Sequence, residues 1–256
     1  MRILALCLLT LCVAPYATGK KLAPRPIPVP VPEDKILGRI FETPVKGAIP
    51  AFFYEAKRTK EGAKTLSTTT YRDPTGKVLV EETTTYENGK LLRYTYQQKQ
   101  VNESGEIDFR DGKVFYKFRT PHREDTDSES IEPNMIVPDM VVGVVQDHWQ
   151  ELMNDDTVKT RFLVLERQDS FGFKFYKDQE RVLDGIPVVD FILKPSSFLI
   201  AAIAPKIRIT MEKAAPHRAV EMEGVLPIRI PEISPPRQRS DYRALDGLLK
   251  FDLPKK

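Results

Sequence analysis

Cysteine is nearly missing from this chain. Its 256 residues contain two, Cys7 and Cys12, both inside the first apolar run. Beyond that run no disulfide, thiolate metal site or cysteine nucleophile is available. Histidine is almost as scarce. His122, His148 and His217 lie far apart, with no His-Glu-x-x-His and no second His at i+4, which removes the usual zinc-hydrolase layout. Ser196-Ser197 lack a Gly-x-Ser-x-Gly elbow, and the 13 glycines punctuate turns instead of building a phosphate loop. Neither sign of charge dominates: 39 Lys and Arg face 36 Asp and Glu, a net +3. The charges are interspersed, so a nucleic-acid partner is not expected. Nor is an enzyme, a metal or a cofactor.

Long apolar runs are also lacking, with one exception. Met1-Arg2 precedes Ile3 to Ala14, broken only by Thr10, and Pro15 ends the run. Ala17-Thr18-Gly19 then puts small residues at −3 and −1 of a cut before Lys20, the layout of a secretory signal peptide. A membrane anchor needs ~20 apolar residues, more than this core offers. Each cysteine follows a Leu (Leu6, Leu11) where a lipobox wants a small residue, so lipidation is disfavoured. The expectation is an exported, thiol-free chain, best suited to a bacterial periplasm, with no transmembrane segment after residues 1–19 are removed. The remaining composition, 41% apolar and 29% charged with mean hydropathy −0.34, fits a soluble domain.

Proline, by contrast, is plentiful at 21. Pro24, Pro26, Pro28, Pro30 and Pro32 alternate strictly, so residues 20–44 read as an extended, polyproline-like arm. The arm is either a spacer or a docking peptide for an envelope protein partner. Residues 45–231 then read as one β-rich domain, and 232–256 as a Pro- and Arg-rich flexible tail with a weak amphipathic turn at Tyr242 to Phe251. Strands are expected at Ala51 to Lys57, Leu66 to Arg72, Lys77 to Tyr86, Leu91 to Lys99 and Val114 to Arg119. Turn signals divide them at Asp73-Pro74-Thr75-Gly76, Glu87-Asn88-Gly89, Glu103-Ser104-Gly105 and Asp111-Gly112.

Pro121 to Pro138 reads as a polar, acidic connection. After it, Val141, Val144, Val145, His148, Trp149 and Leu152 recur at helical spacing, with Asp139 as cap, predicting one main helix near 139–154. His148 lies in its apolar stripe, as a core residue rather than a ligand. Strands resume at Lys159 to Arg167, Phe171 to Lys177, Pro187 to Lys194, Ile207 to Lys213, Arg218 to Glu223 and Leu226 to Ile230. A short helical stretch is placed at Ser197 to Ala204. The fold class is therefore α+β, predominantly antiparallel β: a curved meander or half-barrel sheet packed on one main amphipathic helix.

Alternation puts Phe171, Phe173 and Phe175 on one face, and likewise Val114, Tyr116 and Phe118, and Leu92, Tyr94 and Tyr96. On one reading these aromatics fill the core against Trp149. On the other, the concave face is only partly filled and accepts a lipid or acyl chain. The candidate apolar concavity comprises Tyr94, Tyr116, Phe118, Trp149, Phe171, Phe173 and Phe175. Thr68 to Tyr71 and Thr83 to Tyr86 read as strands with one wet side, and a polysaccharide-binding strip is the lesser reading of them. An outer-membrane barrel is disfavoured, because Lys159 and Arg161, or Arg208 and Glu212, interrupt the face that would meet lipid.

Two adjoining segments, Gly185-Ile186-Pro187-Val188-Val189-Asp190-Phe191-Ile192-Leu193 and Lys194-Pro195-Ser196-Ser197-Phe198-Leu199-Ile200, complete this picture. With the meander and the helix they resemble a group of exported bacterial proteins similar, at fold level, to the periplasmic lipoprotein-carrier half-barrel. The resemblance spans about residues 48–230. It implies an unclosed antiparallel barrel with an apolar concavity, and it brings no catalytic residues. The alternative is a protein-interaction scaffold of the cell envelope, acting through the Pro-rich arm and exposed strands.

Overall fold

The computed structural model describes residues 35–43, 49–197, 206–231 and 242–253. The expected signal segment, the Pro24-to-Pro32 arm and nearly all of the Ser197-to-Ala204 stretch lie outside them. In chain order the first strands are β1 (Ile36–Glu42), β2 (Phe52–Glu61), β3 (Lys64–Arg72), β4 (Val78–Glu87) and β5 (Lys90–Gln98). β6 (Glu103–Arg110), β7 (Lys113–Arg119), β8 (Glu124–Ser130) and the two-residue β9 (Met135–Ile136) follow. A 3₁₀ turn at Pro138–Met140 leads into α1 (Val141–Asp147) and α2 (Trp149–Met153). Then come β10 (Val158–Val164), β11 (Asp169–Leu183), β12 (Ile186–Pro195), β13 (Ile207–Glu212), β14 (Ala219–Pro231) and β15 (Tyr242–Phe251).

All fifteen strands belong to one sheet. From edge to edge its order is β8-β7-β6-β5-β4-β3-β2-β1-β15-β14-β13-β12-β11-β10-β9. Every pairing is antiparallel except β9 on β10. The edge strands β8 and β9 share no ladder, so the sheet is open. It nevertheless bends far enough for distant strands to touch. Gln98 of β5 donates to Pro227 O (2.6 Å), and Gln100 donates to Arg229 O (2.7 Å). These amides satisfy backbone that the β14 bulge between Leu226 and Arg229 leaves unpaired.

The Asn-Gly and Asp-Gly turns form as their chemistry demands. Asn88 and Gly89 sit at φ 51° and 75°, and Asp111 and Gly112 at 52° and 71°, the left-handed pair a tight hairpin needs. Asp184-Gly185 makes the same turn between β11 and β12. Glu103-Ser104-Gly105 does not turn; it lies within β6. A Cβ on Gly105 would come within 2.4 Å of Leu165 Cδ2, so this glycine serves close packing instead.

Several expectations are corrected. The acidic connection at 121–138 contains β8, an edge strand whose charged side chains mask its strand character. The presumed arm and tail each hold a strand: β1 and β15 pair with one another near the centre of the sheet. The segments read as Arg218 to Glu223 and Leu226 to Ile230 are one bulged strand, β14. The 139–154 helix is not continuous. His148, at φ −106° and ψ 23°, separates α1 from α2. Asp139 makes no capping bond, because its carboxylate accepts hydrogen bonds from Ser67 Oγ and Tyr86 OH, both at 2.6 Å. The helical segment is thereby tied to β3 and β4 at its start. Farther on, Trp149 meets Phe191 edge-on at 5.3 Å and stacks on His217 at 3.7 Å.

Candidate functional site

The strand registers run one inner face across the sheet, and its chemistry changes along the way. On β2 to β5 it carries Tyr54, Ser67, Thr69, Tyr71, Glu82, Thr84, Tyr86, Tyr94 and Tyr96. On β11 to β13 it carries Phe175, Val189, Phe191, Leu193, Ile209 and Met211. The polar half is closed by tyrosine hydroxyls donating to carboxylates. Tyr94 OH bonds Glu82 Oε1 at 2.8 Å, Tyr86 OH bonds Asp139, and Tyr116 OH bonds Glu129. Burial pushes the Glu82 carboxyl up to about 7, with Asp139 and Glu166 adding like-charge repulsion and the Tyr94 bond opposing them. Burial also pushes the Tyr94 and Tyr71 hydroxyls up.

The seven residues expected to line a concavity fall within this packing. Tyr94, Tyr116, Phe118, Trp149, Phe173 and Phe175 are buried members of one continuous core, and Phe171 packs against it half-buried. The structure does bring them together, yet they are filled by one another and by Phe191, Leu193 and Val145. The available space lies elsewhere.

A cleft of about 420 Å³ opens where α1 crosses the ends of several strands, within the ~300–1,000 Å³ typical of small-molecule sites. Tyr86, Leu91 and Phe109 supply one wall from β4, β5 and β6; Met140 and Val144 supply another from the helical segment. Ile131, Met135 and Ile136 come from the crossing chain, and Val158 and Thr160 from β10. None of the seven expected residues lines it. Lys90 at the hairpin tip and Lys159 on β10 border it, and neither has an ion-pair partner among the described residues. Glu132 also borders it, held by Arg161 at 3.4 Å, as does Asp147, which is itself engaged.

Two lining residues carry buried side-chain atoms without a hydrogen-bond partner. Thr160 is only 6% exposed, and its Oγ1 makes no hydrogen bond. His148 Nδ1 lies 3.5 Å from Glu151 Oε1, outside hydrogen-bond geometry. Arg161 donates its amide toward Asn134 O at 3.0 Å, so it faces β9. By the two-residue repeat of a strand, Lys159 faces the same way. Before β9 the chain turns off at Asn134, φ 63°. A buried polar group without a partner costs about 1–3 kcal/mol.

No family model matches this chain. No curated protein matches it either. Among solved structures, one similar chain is the β-barrel-like protein of domain of unknown function DUF1849 from Brucella abortus. It is 9% identical with a TM-score of 0.43, over 86% of this chain and 97% of that one. At that level the likeness carries no argument about activity or ligand. Among the described residues no three His, Cys, Asp or Glu side chains are grouped to hold a metal, and no helix is long and apolar enough to cross a membrane.

Sequence reasoning missed the cleft because its lining comes from seven elements that no local pattern links. One signal was available. Met135-Ile136-Val137 is an apolar patch at the end of an acidic stretch, and such a patch needs a surface to cover it.

Proposed function

We propose that this is a non-enzymatic exported protein of the bacterial envelope that holds an apolar ligand, an acyl chain, in the cleft beneath α1. The observation that supports this reading is the cleft itself: a space of about 420 Å³ walled by Leu91, Phe109, Met135, Ile136, Met140 and Val144 and open at an edge where Ile131 is exposed. Filling it with hydrocarbon contributes roughly 25 cal/mol per Å² of apolar surface removed from water. A ligand bound to the folded state alone raises the melting temperature in proportion to the logarithm of its concentration.

Dodecanoate is therefore expected to raise the melting temperature of the wild-type protein. It is not expected to do so for Ile131→Glu, which places a carboxylate at the mouth on an already exposed position. Native mass spectrometry of protein from the envelope checks whether an acyl lipid co-purifies. If no acyl ligand shifts melting and none co-purifies, the reading fails.

The second reading, a docking scaffold, is favoured by the free edge of β8. Four of its seven residues are acidic, a composition that discourages strand addition by neutral chains. A basic peptide that binds the wild type, and binds no better after residues 20–35 are restored to a truncated chain, would place docking on β8 and not on the arm.

A further inference from the structure

We infer that the acyl ligand of the cleft carries an anionic head, a carboxylate or a phosphate, which the Lys90 and Lys159 ammonium groups hold at the rim. The inference rests on the acyl-binding reading above and names the ligand's polar end. Four acidic or basic side chains line the cleft: Lys90, Lys159, Glu132 and Asp147. Both carboxylates are already engaged. Glu132 lies 3.4 Å from Arg161, and Asp147 has an interaction of its own. Lys90, exposed where β5 begins, and Lys159, exposed on β10, extend ammonium groups that pair with no described residue. The next cation along each of these strands is paired: Arg93 of β5 with Glu106 and Asp108, and Arg161 of β10 with Glu132. Most of the remaining lining is apolar, so a chain entering the cleft leaves its polar head in the water at the mouth. Two unneutralised cations there attract a negative head, are indifferent to a neutral one and repel a positive one. Each ammonium is a point charge on a flexible stem, so carboxylate and phosphate both satisfy it.

The attraction acts between exposed charges, so its size is modest and it weakens with salt. The full-length protein is titrated at mildly alkaline pH with dodecanoate, dodecyl phosphate, dodecanol and dodecylammonium, each below its micelle or solubility limit. Affinity is read from the shift in melting temperature. At low salt at least one anionic ligand is expected to bind about fivefold more tightly than dodecanol and about tenfold more tightly than dodecylammonium, the scale of two exposed ion pairs. At about 0.5 M salt both ratios are expected to fall below about twofold. Tighter binding of dodecanoate assigns a fatty acid, and tighter binding of dodecyl phosphate a phosphate-headed lipid; either supports the inference. Lys90→Gln and Lys159→Gln together are expected to abolish the preference for the anionic head while leaving dodecanol binding unchanged. Lys77→Gln, exposed at the opposite end of β4 and outside the cleft lining, is expected to retain the preference. Equal affinity for dodecanoate, dodecyl phosphate and dodecanol, or an unchanged preference in the double variant, overturns this inference and leaves acyl binding standing. Absence of binding by every ligand overturns both.

Discussion

Along β3, β4 and β5 the inner face carries Tyr71, Glu82, Tyr86, Tyr94 and Tyr96, whereas along β11, β12 and β13 it carries Phe175, Phe191, Leu193, Ile209 and Met211. Both stretches are buried, and they solve that burial differently. The second excludes water by packing alone. The first spends its tyrosine hydroxyls on Glu82 and Asp139, so its stability depends on the protonation and geometry of a few groups. The helical segment joins the two: Asp139 is bound to β3 and β4, and Trp149 is packed on Phe191 of β12. The cleft opens on the polar side of that junction, beside Tyr86 and Thr160.

The largest loss of stability is expected in the apolar half. Phe191→Ala removes a fully buried ring beneath Trp149, and about 3–5 kcal/mol of unfolding free energy is expected to be lost in urea titration. The next largest effect belongs to pH and to the polar half. Unfolded, Glu82 releases its proton near pH 4.5; folded, only near about 7. The folded state thus binds more protons across that window, and its stability falls as pH rises from about 4.5 through about 7. The loss is on the order of 3 kcal/mol at about 1.4 kcal/mol per unit. Glu82→Gln is expected to flatten that part of the stability–pH curve, whereas Phe191→Ala is expected to lower the curve without changing its shape.

A smaller loss, about 2 kcal/mol, is expected for Tyr86→Phe, which removes one of two hydroxyl donors to the Asp139 carboxylate. Amide hydrogen exchange should show this loss first in α1, because the bond anchors its start. The smallest effect has the opposite sign. Thr160→Val replaces an unpartnered buried hydroxyl and is expected to stabilise the free protein by roughly 1 kcal/mol. An unchanged or lowered stability would mean that Thr160 is already satisfied.

What the sequence made legible follows the same division. Strands bounded by Asn88-Gly89 and Asp111-Gly112 were readable, since those residues accept the positive φ of a tight hairpin. The predominantly antiparallel sheet with a helix on it was readable from alternation and from the Val141-to-Leu152 spacing. β8 was not, because Glu124, Asp125, Asp127 and Glu129 suppress the apolar alternation by which strands are recognised. β1 and β15 were hidden beside Pro-rich sequence, and they are held by pairing with one another and with β2 and β14. The missing cap was hidden for another reason: Asp139 is held by Tyr86 and Ser67, partners 53 and 72 positions away. The aromatic faces were recognised as one surface, but a strand pattern does not distinguish a filled surface from a hollow one. The cleft depends on the departure of the chain from β10 at Asn134, a tertiary event with no local signature.

Whether ligand enters the cleft under α1 or the aromatic core is decided by methyl NMR during a dodecanoate titration. Saturable shifts are expected at Met135, Met140, Val144 and Val158, which line the cleft, and none at Val189, Ile209 and Met211 in the core. Saturable shifts confined to Val189, Ile209 and Met211, or no shifts at all, would contradict binding in the cleft.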